Sequence, residues 1–338
     1  MDMNDGWRGP TVKEVAEAAN VAPATVDRVL NKRPGVREST RLHVIAAFEK
    51  LSQERKDPGR TRNIVLFCES GETFNAQMLG AMDRANRTLP NVFITGHYET
   101  TFESDPVTFA RHLETLGGQA DGVIVTAREH PAINRAIRRL ESLQTPVVCL
   151  TTDLPSSRRS AYVGNDQYAA GSVAGQLIGN AVSTEKGNVL LVMSVAFRCQ
   201  QEREMGFRRA LRADFSHLKI DERVFSNDTA DQTYQQIMGY FKNHGLPAAI
   251  YNVAGANRGV ARALAQFDQG QRCVFVGHEL TEHSRTLLED GVMNYVISHN
   301  FFDEVAHAVT VIKDAHNAIK PRSRSSHILV HTKYNCDN

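Results

Sequence analysis

The chain has 338 residues and a formal net charge of only +1, and this length predicts two or three compact units. Its five cysteines are odd in number and contain no C-x-x-C pair, which argues against a disulfide framework or a zinc site and fits a reducing cytosol. The sequence shows neither a signal-peptide core nor a run of about 18 apolar residues, so a soluble, cytoplasmic protein is expected.

The segment TVKEVAEAANVAPATVDRVLN, residues 11–31, predicts two short helices joined by a tight turn. Thr11 and Glu14 form a T-x-x-E capping box at the start of the first helix. Asn20 tolerates the left-handed backbone that closes that helix, and Pro23 suits the first position of the second helix. This is the layout of a helix-turn-helix, whose second helix enters the major groove of DNA.

Apolar residues at spacings of three and four predict the faces on which these helices pack. In the first two helices they are Val12, Val15, Ala16, Ala19, Val26, Val29 and Leu30. A third helix is predicted from about Glu38 to Glu54, where they are Leu42, Ile45, Phe48 and Leu51. The three helices predict a DNA-binding head, which we assign to residues 9–55.

Charge separates this head from the rest of the chain. From Arg28 to Arg62 there are ten basic and four acidic residues, a net charge of +6, whereas residues 63–338 carry 27 basic and 29 acidic residues, a net charge of −2. Lysine and arginine make the phosphate contacts that supply most sequence-independent DNA affinity. A hairpin of two helices inside a helical bundle is the alternative, but the basic head favours DNA binding.

The polar segment QERKDPGRTR, residues 53–62, is broken by Pro58 and Gly59 and predicts a linker, assigned to residues 56–62. Beyond it, short β-branched runs alternate with amphipathic stretches. Strands are predicted at 63–67, 91–96, 121–126, 145–151 and 161–164, and in a second series at 188–193, 219–225, 247–253, 272–277 and 294–298. Helices are predicted near 75–88, 106–117, 131–143, 167–182, 201–213, 229–244, 257–268 and 281–290.

Apolar strands separated by helices predict parallel sheets that are covered on both faces. Two such series predict two Rossmann-like lobes. In open α/β sheets, ligands bind at the carboxyl ends of the strands, so two facing lobes would form a cleft lined by those ends.

These segments together resemble the lactose-repressor (LacI) family of bacterial transcription regulators over nearly the whole chain. The family pattern T-x-x-x-V-A-x-x-A-x-V-S-x-x-T-V-S-R-V-x-N is met at Thr11, Val15, Ala16, Ala19, Val21, Thr25, Val26, Arg28, Val29 and Asn31, with Ala22 and Asp27 in place of the two usual serines. Residues 159–171, 202–207, 251–264, 276–291 and 327–335 resemble the effector-binding domain of that family.

The resemblance implies an α/β fold class, with a three-helix helix-turn-helix domain followed by a two-lobed, Rossmann-like periplasmic-binding-protein fold of type I. In that fold three crossovers join the lobes. The effector-binding domain would span residues 63–338. Lobe 1 would comprise residues 63–164 and 299–325, and lobe 2 residues 165–298 and 326–338.

The resemblance also implies a set of DNA-contacting residues: Thr11, Pro23, Ala24, Thr25, Arg28, Asn31 and Lys32. Arg28 is expected on a base edge, because arginine can donate two parallel hydrogen bonds to guanine O6 and N7; its alternative is an ordinary solvated charge. The small side chains at 22–24 offer only contacts such as a thymine methyl. Thr25, Asn31 and Lys32 are assigned to phosphates.

One segment departs from the family. Family members place a hinge helix after the head, and its leucine wedges into the minor groove. Here the segment between Leu51 and Ile64 contains Pro58 and Gly59 but no leucine. Because kinking DNA in this way requires an apolar wedge, we expect no hinge helix, and either a flexible tether or another form of coupling.

For the effector, the resemblance implies convergent hydrogen-bonding groups and an aromatic wall. Arg203, Asn257 and Glu279 match family motifs, and Phe74 is expected to stack on a sugar face. The other candidates follow strand ends: Arg128, Asp153, Asp166 and His299. Salt bridging between loops is an equal alternative for the first three of these.

The sequence therefore predicts a transcriptional regulator, a repressor of carbohydrate uptake or catabolism genes. Its expected partners are double-stranded operator DNA, a sugar, polyol or sugar-acid effector, and further copies of itself in a dimer or tetramer. The alternatives are a sugar-binding protein of a transport or sensing system, and an enzyme. No catalytic constellation, phosphate-binding glycine motif or metal-ligand spacing is found, so no cofactor, metal or reaction is expected.

Overall fold

The computed structural model describes residues 10–56, 60–182, 187–194, 197–226, 228–267 and 273–337. The chain forms two compact units, one ending at Thr61 and the other beginning at Arg62. No helix within the described ranges is long and apolar enough to cross a membrane.

The first unit contains three helices: α1 (Val12–Ala18), α2 (Pro23–Leu30) and α3 (Glu38–Lys56). The capping box is confirmed, since the Glu14 amide donates to the Thr11 hydroxyl and the Thr11 amide donates to the Glu14 carboxylate. Asn20 has the left-handed φ of +49° that closes the first helix, and Pro23 occupies the first turn of α2. Local sequence signals therefore set both helix boundaries.

The packing face of α3 differs from the predicted one. Leu42 is 60% exposed and Ile45 is 36% exposed, so the prediction that both pack inward is wrong. Val44 is buried instead, and Phe48 and Leu51 pack beside it. At 100° per residue these three lie within a narrow stripe, whereas Leu42 falls on the opposite side of the helix. Val12, which was also predicted to lie on a packing face, is 38% exposed.

The second unit contains two six-stranded sheets. The strands are β1 (Arg62–Ser70), β2 (Val92–Thr100), β3 (Gly122–Thr126), β4 (Val147–Leu150), β5 (Ala161–Gly164), β6 (Gly187–Met193), β7 (Leu218–Phe225), β8 (Ala249–Asn252), β9 (Val274–His278), β10 (Tyr295–Ser298), β11 (Arg324–Ser325) and β12 (Leu329–His331). The first sheet has the order β11-β5-β4-β3-β1-β2 and the second the order β12-β10-β9-β8-β6-β7. All neighbours are parallel except β12, which is antiparallel to β10.

Helices cover both faces of each sheet. They are α4 (Glu72–Thr88), α5 (Pro106–Gly117), α6 (Pro131–Ser142), α7 (Gln167–Ala181), α8 (Arg198–Asp214), α9 (Ala230–His244), α10 (Asn257–Phe267), α11 (Glu282–Glu289) and α12 (Phe301–His316). In lobe 1, α4 and α12 pack on one face of the sheet, and α5 and α6 on the other. In lobe 2, α7 and α8 oppose α9, α10 and α11.

The chain passes between the lobes three times: between β5 and α7, between β10 and α12, and between β11 and β12. The predicted two-lobed α/β fold is therefore confirmed. The helix α12 was not among the predicted elements, although it contributes Val305, Ala308, Val309 and Ile312 to the core of lobe 1.

Candidate functional site

A cavity of about 590 Å³ lies between the two lobes. Lobe 1 contributes the residues that follow β1 and β4, and lobe 2 contributes those that follow β7, β8 and β9 together with the first turns of α8. The cavity is thus built from the carboxyl ends of strands in both sheets, where α/β proteins place their ligands.

Direct contacts join the lobes around this cavity. The Gln77 side chain of α4 donates to the Leu280 carbonyl across the cleft at 2.8 Å, and the Cys199 amide donates to the Thr152 hydroxyl at 3.3 Å. A β-carbon at Gly71 would lie 3.1 Å from Cβ of Asp228 in the opposite lobe. The lobes are therefore closed on each other in this structure.

Four of the expected effector residues line the cavity: Phe74, Arg203, Asn257 and Glu279. Phe74 stands in the first turn of α4, partly buried, and its ring packs edge-on against Phe301 with centroids 5.0 Å apart. This packing holds an aromatic ring at the lobe 1 side of the cavity.

A close helix crossing delivers Arg203 to the cavity. A β-carbon at Gly171 of α7 would lie 1.9 Å from the Arg203 carbonyl, and one at Gly206 of α8 would lie 1.9 Å from the Tyr168 carbonyl. Only glycine permits this approach of two backbones. Arg203 is buried, and its Nε donates to Gln167 Oε1 at 2.7 Å.

Four ionisable side chains form a continuous row behind this arginine. Arg203 Nη2 lies 3.4 Å from Glu279 Oε1, Glu279 Oε2 lies 3.4 Å from His299 Nε2, and His299 Nδ1 lies 2.9 Å from Glu304 Oε1. We call this row, Arg203–Glu279–His299–Glu304, the charge chain. It ends at the hydroxyls of Thr151 and Ser326, which both donate to Glu304. His299 is buried behind Glu279 rather than in the cavity wall.

The pKa values within the charge chain follow from its alternating charges. Burial alone lowers the pKa of His299, but the carboxylates of Glu304 and Glu279 outweigh burial and raise it to about 10. Burial alone raises the pKa of Glu279, but His299 and Arg203 outweigh burial and hold it below its usual value. Near neutral pH the imidazole is therefore a cation between two carboxylates.

Asn257 joins two strand ends through its side-chain amide. Its Nδ2 donates to the His278 carbonyl at 3.0 Å, and its Oδ1 accepts from Asn252 Nδ2 at 2.7 Å. An amide has two N–H groups and two lone pairs, so one of each is left for a ligand.

Three other expected residues have partners elsewhere. Arg128 pairs with the buried carboxylate of Glu69, and Asp153 holds Arg159 through two hydrogen bonds of 2.6 and 2.7 Å. Asp166 is exposed and caps α7. Within the described part of the chain, none of the three lines the cavity. The geometry favours the salt-bridging alternative for Arg128 and Asp153, and a capping role for Asp166.

Sequence reasoning missed two cavity residues, Asp228 and His278. Asp228 follows β7, and its Oδ1 accepts from the Gly255 amide at 2.9 Å. His278 ends β9, and its Nε2 lies 2.8 Å from the Tyr251 hydroxyl. Burial, with the nearby positive charges of Arg203 and His299, lowers the pKa of His278 well below its usual value, so this imidazole is neutral. The position of Asp228 and His278 at strand ends was the sequence signal that could have identified them as cavity residues.

Left-handed backbone is concentrated at the cavity. Four residues that line it have positive φ angles without being glycine: Thr151 (+62°), Asp228 (+64°), Ala256 (+59°) and Glu279 (+67°). This conformation is uncommon for residues with a β-carbon and strained for a β-branched one such as Thr151. Strain of this kind persists where the surrounding structure holds it, typically at binding sites.

The expected DNA-contacting residues lie on the surface of the first unit. Six are exposed and Thr25 is partly buried: Thr11, Pro23, Ala24, Arg28, Asn31 and Lys32. The Asn31 amide donates to Asp27 Oδ1 at 2.7 Å, and Arg33 pairs with the same carboxylate at 3.1 Å. Asp27, which replaces a serine of the family pattern, therefore organises the end of α2.

Comparisons with known proteins agree with this architecture. Residues 64–318 match the family described as "Periplasmic binding protein domain", and residues 11–53 match "Bacterial regulatory proteins, lacI family". A relative from Bacillus subtilis (strain 168), described as a probable HTH-type transcriptional repressor, ExuR, is 22% identical over 253 residues, covering 71% of this chain and 72% of the relative.

Solved structures share the fold of the second unit. The glucose-galactose binding protein GanP from Geobacillus stearothermophilus matches with a TM-score of 0.72 at 23% identity, over 82% of this chain and 99% of its own. A solute-binding protein of an ABC transporter from Burkholderia graminis C4D1M, in complex with D-arabinose, matches with a TM-score of 0.75 at 18% identity, over 82% and 97%. The chain belongs to the periplasmic binding protein domain family and carries a lacI-family helix-turn-helix domain at residues 11–53.

Proposed function

We propose that the chain is a DNA-binding transcriptional repressor whose affinity for its operator is set by a small sugar-like effector in the interlobe cavity. One observation carries this proposal: a single chain joins a lacI-family helix-turn-helix domain to a two-lobed domain with a cavity between its lobes. The repressor named among its relatives and the sugars named in its structural neighbours support it. Genes of carbohydrate uptake or catabolism are the proposed targets, and no catalytic role is proposed.

At the DNA, Arg28 is proposed to contact a base edge in the major groove. Its guanidinium is exposed on α2 and can donate two hydrogen bonds to guanine. Thr25, Asn31 and Lys32 are proposed to contact phosphates, and Pro23 and Ala24 to approach the bases through apolar contacts. Thr11, at the start of α1, is proposed to contact the sugar–phosphate backbone of the DNA.

In the cavity, Phe74 is proposed to stack on the face of a sugar ring, and the free hydrogen-bonding groups of Arg203, Asn257 and Glu279 to bind its hydroxyls. Such a mixture of an aromatic wall with a few polar groups is typical of pockets for small polar ligands. His299 is proposed to act indirectly, by holding Glu279 in place.

The charge chain offers a physical route between effector and lobes. His299 lies at the second crossover and Ser326 at the third, and both contact Glu304 of lobe 1. An effector that pairs with Arg203 or Glu279 in place of their present partner therefore changes the electrostatic interactions of His299 and Glu304, the residues that link the second and third crossovers. Effector and operator would each favour one arrangement of the lobes, and that difference is the coupling free energy.

The link between head and lobes is proposed to lack a wedge-bearing hinge helix, so that the head is joined either by a flexible tether or through another form of coupling. Helix α3 extends to Lys56, the first residue of the predicted linker, and residues 57–59 lie outside the described residues. The leucine that a minor-groove wedge requires is absent from this segment of the sequence.

A dimer is proposed, because two-fold symmetric operators are bound by two heads. Lobe 1 carries exposed apolar side chains that such an assembly could bury. Leu79 of α4 is 43% exposed and Phe93 of the edge strand β2 is 56% exposed.

The second candidate is a sugar-binding protein of a transport or sensing system. The second unit alone would suit that function, since its structural neighbours include such proteins. The lacI-family domain favours the repressor.

One experiment separates the two candidates. The full chain is titrated against the DNA upstream of its own gene and against random duplex, at several salt concentrations, with and without a panel of sugars and polyols. A repressor prefers the upstream fragment, loses affinity steeply with salt, and changes its affinity with one member of the panel. A sugar-binding protein of the transport class would bind the sugar and show no preference between the two DNAs.

A further inference from the structure

The charges around the cavity are unevenly distributed between its mouth and its interior. The exposed ionisable residues at the mouth are Glu72, Asp231, Arg258 and His283. Besides the thiol of Cys199, those in the interior are Arg203, Asp228, His278 and Glu279, which are buried or partly buried, and we call these four the inner wall. Water screens the charges at the mouth, so the inner wall decides which charge an enclosed ligand can carry.

Three members of the inner wall are already neutral or paired. The Arg203 guanidinium lies 3.4 Å from the Glu279 carboxylate, which His299 approaches from its other side. His278 is hydrogen-bonded to Tyr251 and is uncharged. The remaining charge of the inner wall is therefore the carboxylate of Asp228.

Asp228 has hydrogen-bond donors but no cation. The Gly255 amide donates to its Oδ1 at 2.9 Å, and the Ser194 hydroxyl is the other donor that faces it. Within the described residues, no lysine, arginine or histidine forms an ion pair with it. Burial raises the pKa of Asp228 and these two donors only partly offset that effect, so the carboxylate is under-solvated. A carboxylate has about four lone-pair sites and can accept further hydrogen bonds.

The backbone around Asp228 reinforces this conclusion. The residue directly precedes Thr229, the N-cap of α9, and lies against Gly71, the N-cap of α4, and neither N-cap residue has a side-chain cap. Helix N-termini attract negative charge. Because Asp228 lies beside both N-termini, an anionic group of a ligand at the same place would meet its carboxylate.

We propose, on the basis of the function proposed above, that Asp228 selects an uncharged polyhydroxylated effector, accepting hydrogen bonds from its hydroxyl groups and excluding sugar acids and sugar phosphates. The rejected ligands would bring a second anion next to Asp228 in the interior of the cavity, where like charges repel more strongly than in water. A hydroxyl group instead satisfies the under-solvated carboxylate, as buried polar groups require.

The test compares matched pairs of ligands on the full chain by isothermal titration calorimetry. The pairs are D-galactose and D-galacturonate, D-glucose and D-glucose 6-phosphate, D-arabinose and D-arabinonate, and myo-inositol and its monophosphate. The neutral member of one pair is expected to bind at least about tenfold more tightly than its anionic partner. In Asp228→Asn the affinity for that neutral ligand is expected to fall about tenfold, and its advantage over the anion to disappear.

Asp290→Asn is the matched control. Asp290 is exposed at the end of α11 and is not among the residues that line the cavity. This variant is expected to bind all ligands as the wild type does. Should Asp228→Asn fail to fold in a thermal unfolding assay, the ranking of ligands by the wild type still decides the matter.

The proposal is overturned if an acid or phosphate is the tightest ligand, if Asp228→Asn keeps the neutral preference, or if no member of the panel binds. The function proposed above is judged separately, by specific binding of the same preparation to its upstream DNA. Specific DNA binding with an anionic ligand ranked first refutes the role of Asp228 and leaves the repressor intact. A neutral ligand ranked first without specific DNA binding refutes the repressor function and leaves the role of Asp228 intact.

Discussion

Two cations of the head, Arg28 on α2 and Lys32 just beyond its end, are expected to contribute differently to DNA binding. Arg28 is assigned to a base edge and Lys32 to a phosphate, and both are exposed. Arg28→Ala should cost about 1–3 kcal/mol on the operator and relax specificity at one base pair. Lys32→Ala should weaken binding to all sequences alike. It should also reduce the slope of log affinity against log salt concentration by about one, because one fewer phosphate is neutralised.

Fluorescence anisotropy with the operator and with single-base variants of it measures both effects. Arg87→Ala, on α4 in the second unit, serves as the control for a lost arginine. Equal losses of Arg28→Ala on operator and random duplex would show that Arg28 contacts a phosphate, and equal binding of variant and wild type to the operator would show that it is an ordinary solvated charge.

The charge chain predicts a pH dependence of stability. The pKa of His299 is raised from an ordinary 6.5 to about 10 in the folded protein. The protonated imidazole therefore stabilises the fold fully below about pH 6.5, and this stabilisation is lost as the pH rises towards 10. His299→Gln should thus be less stable than the wild type near pH 6, and the difference should shrink with rising pH, because a deprotonated imidazole is as uncharged as glutamine.

Urea unfolding at pH 6, 7.5 and 9 measures this difference. Gly239→Ala on α9, which removes no ionisable group, should show a difference from the wild type that does not change with pH. A pH-independent difference for His299→Gln would mean that the imidazole is not a cation between the two carboxylates.

Residue roles were predictable where a local pattern carries them and unpredictable where the partner is distant. The capping box of Thr11 and the left-handed Asn20 depend on neighbours within a few positions, and both were found from sequence. Arg128 was placed among the effector residues because it follows a strand, but its partner Glu69 lies 59 positions away. No local pattern reveals such an ion pair.

At the scale of elements, alternation of apolar strands and amphipathic helices was sufficient to predict most of the second unit. Strands buried on both faces are continuously apolar, and that signal does not depend on the rest of the fold. The position of the third helix of the head was predicted correctly, but its buried face was not, since Leu42 and Ile45 fit a helical spacing as well as Val44 does. Only tertiary contacts choose between such stripes.

The crossing of α7 and α8 predicts a sharp response to one methyl group. Gly171→Ala would place a β-carbon where the Arg203 carbonyl now lies. Forcing the helices apart should cost about 1–3 kcal/mol of stability, as overpacking does. It should also weaken effector binding, because Arg203 would move out of the cavity wall.

Gly239→Ala on α9 is the matched control, since nothing lies within 4 Å of its added methyl. This variant should gain roughly 0.5–1 kcal/mol in free energy of unfolding, because alanine is the better helix former. Urea unfolding and effector titration of both variants make the comparison. Unchanged stability and affinity in Gly171→Ala would contradict the role assigned to the crossing.

At the scale of the whole molecule, the proposed dimer predicts which surface is buried. Phe93→Asp places a charge on the exposed edge strand of lobe 1 and should shift the sedimentation coefficient from dimer to monomer, with weaker operator binding. Met205→Lys, which alters a residue 54% exposed in lobe 2, should leave the assembly unchanged. A Phe93→Asp variant that still sediments as a dimer would place the interface elsewhere.

The threefold passage of the backbone between the lobes restricts how such a gene can be rearranged. The head is one uninterrupted stretch, so recombination can exchange it for another and give the same sensor a new target. Each lobe is instead assembled from separated stretches: α12 and β11 complete the first lobe only after the whole second series of strands has been made, and β12 then closes the second. A cut within the sensor therefore leaves both halves unfinished, and a ribosome must deliver almost all of it before either lobe can reach its final form.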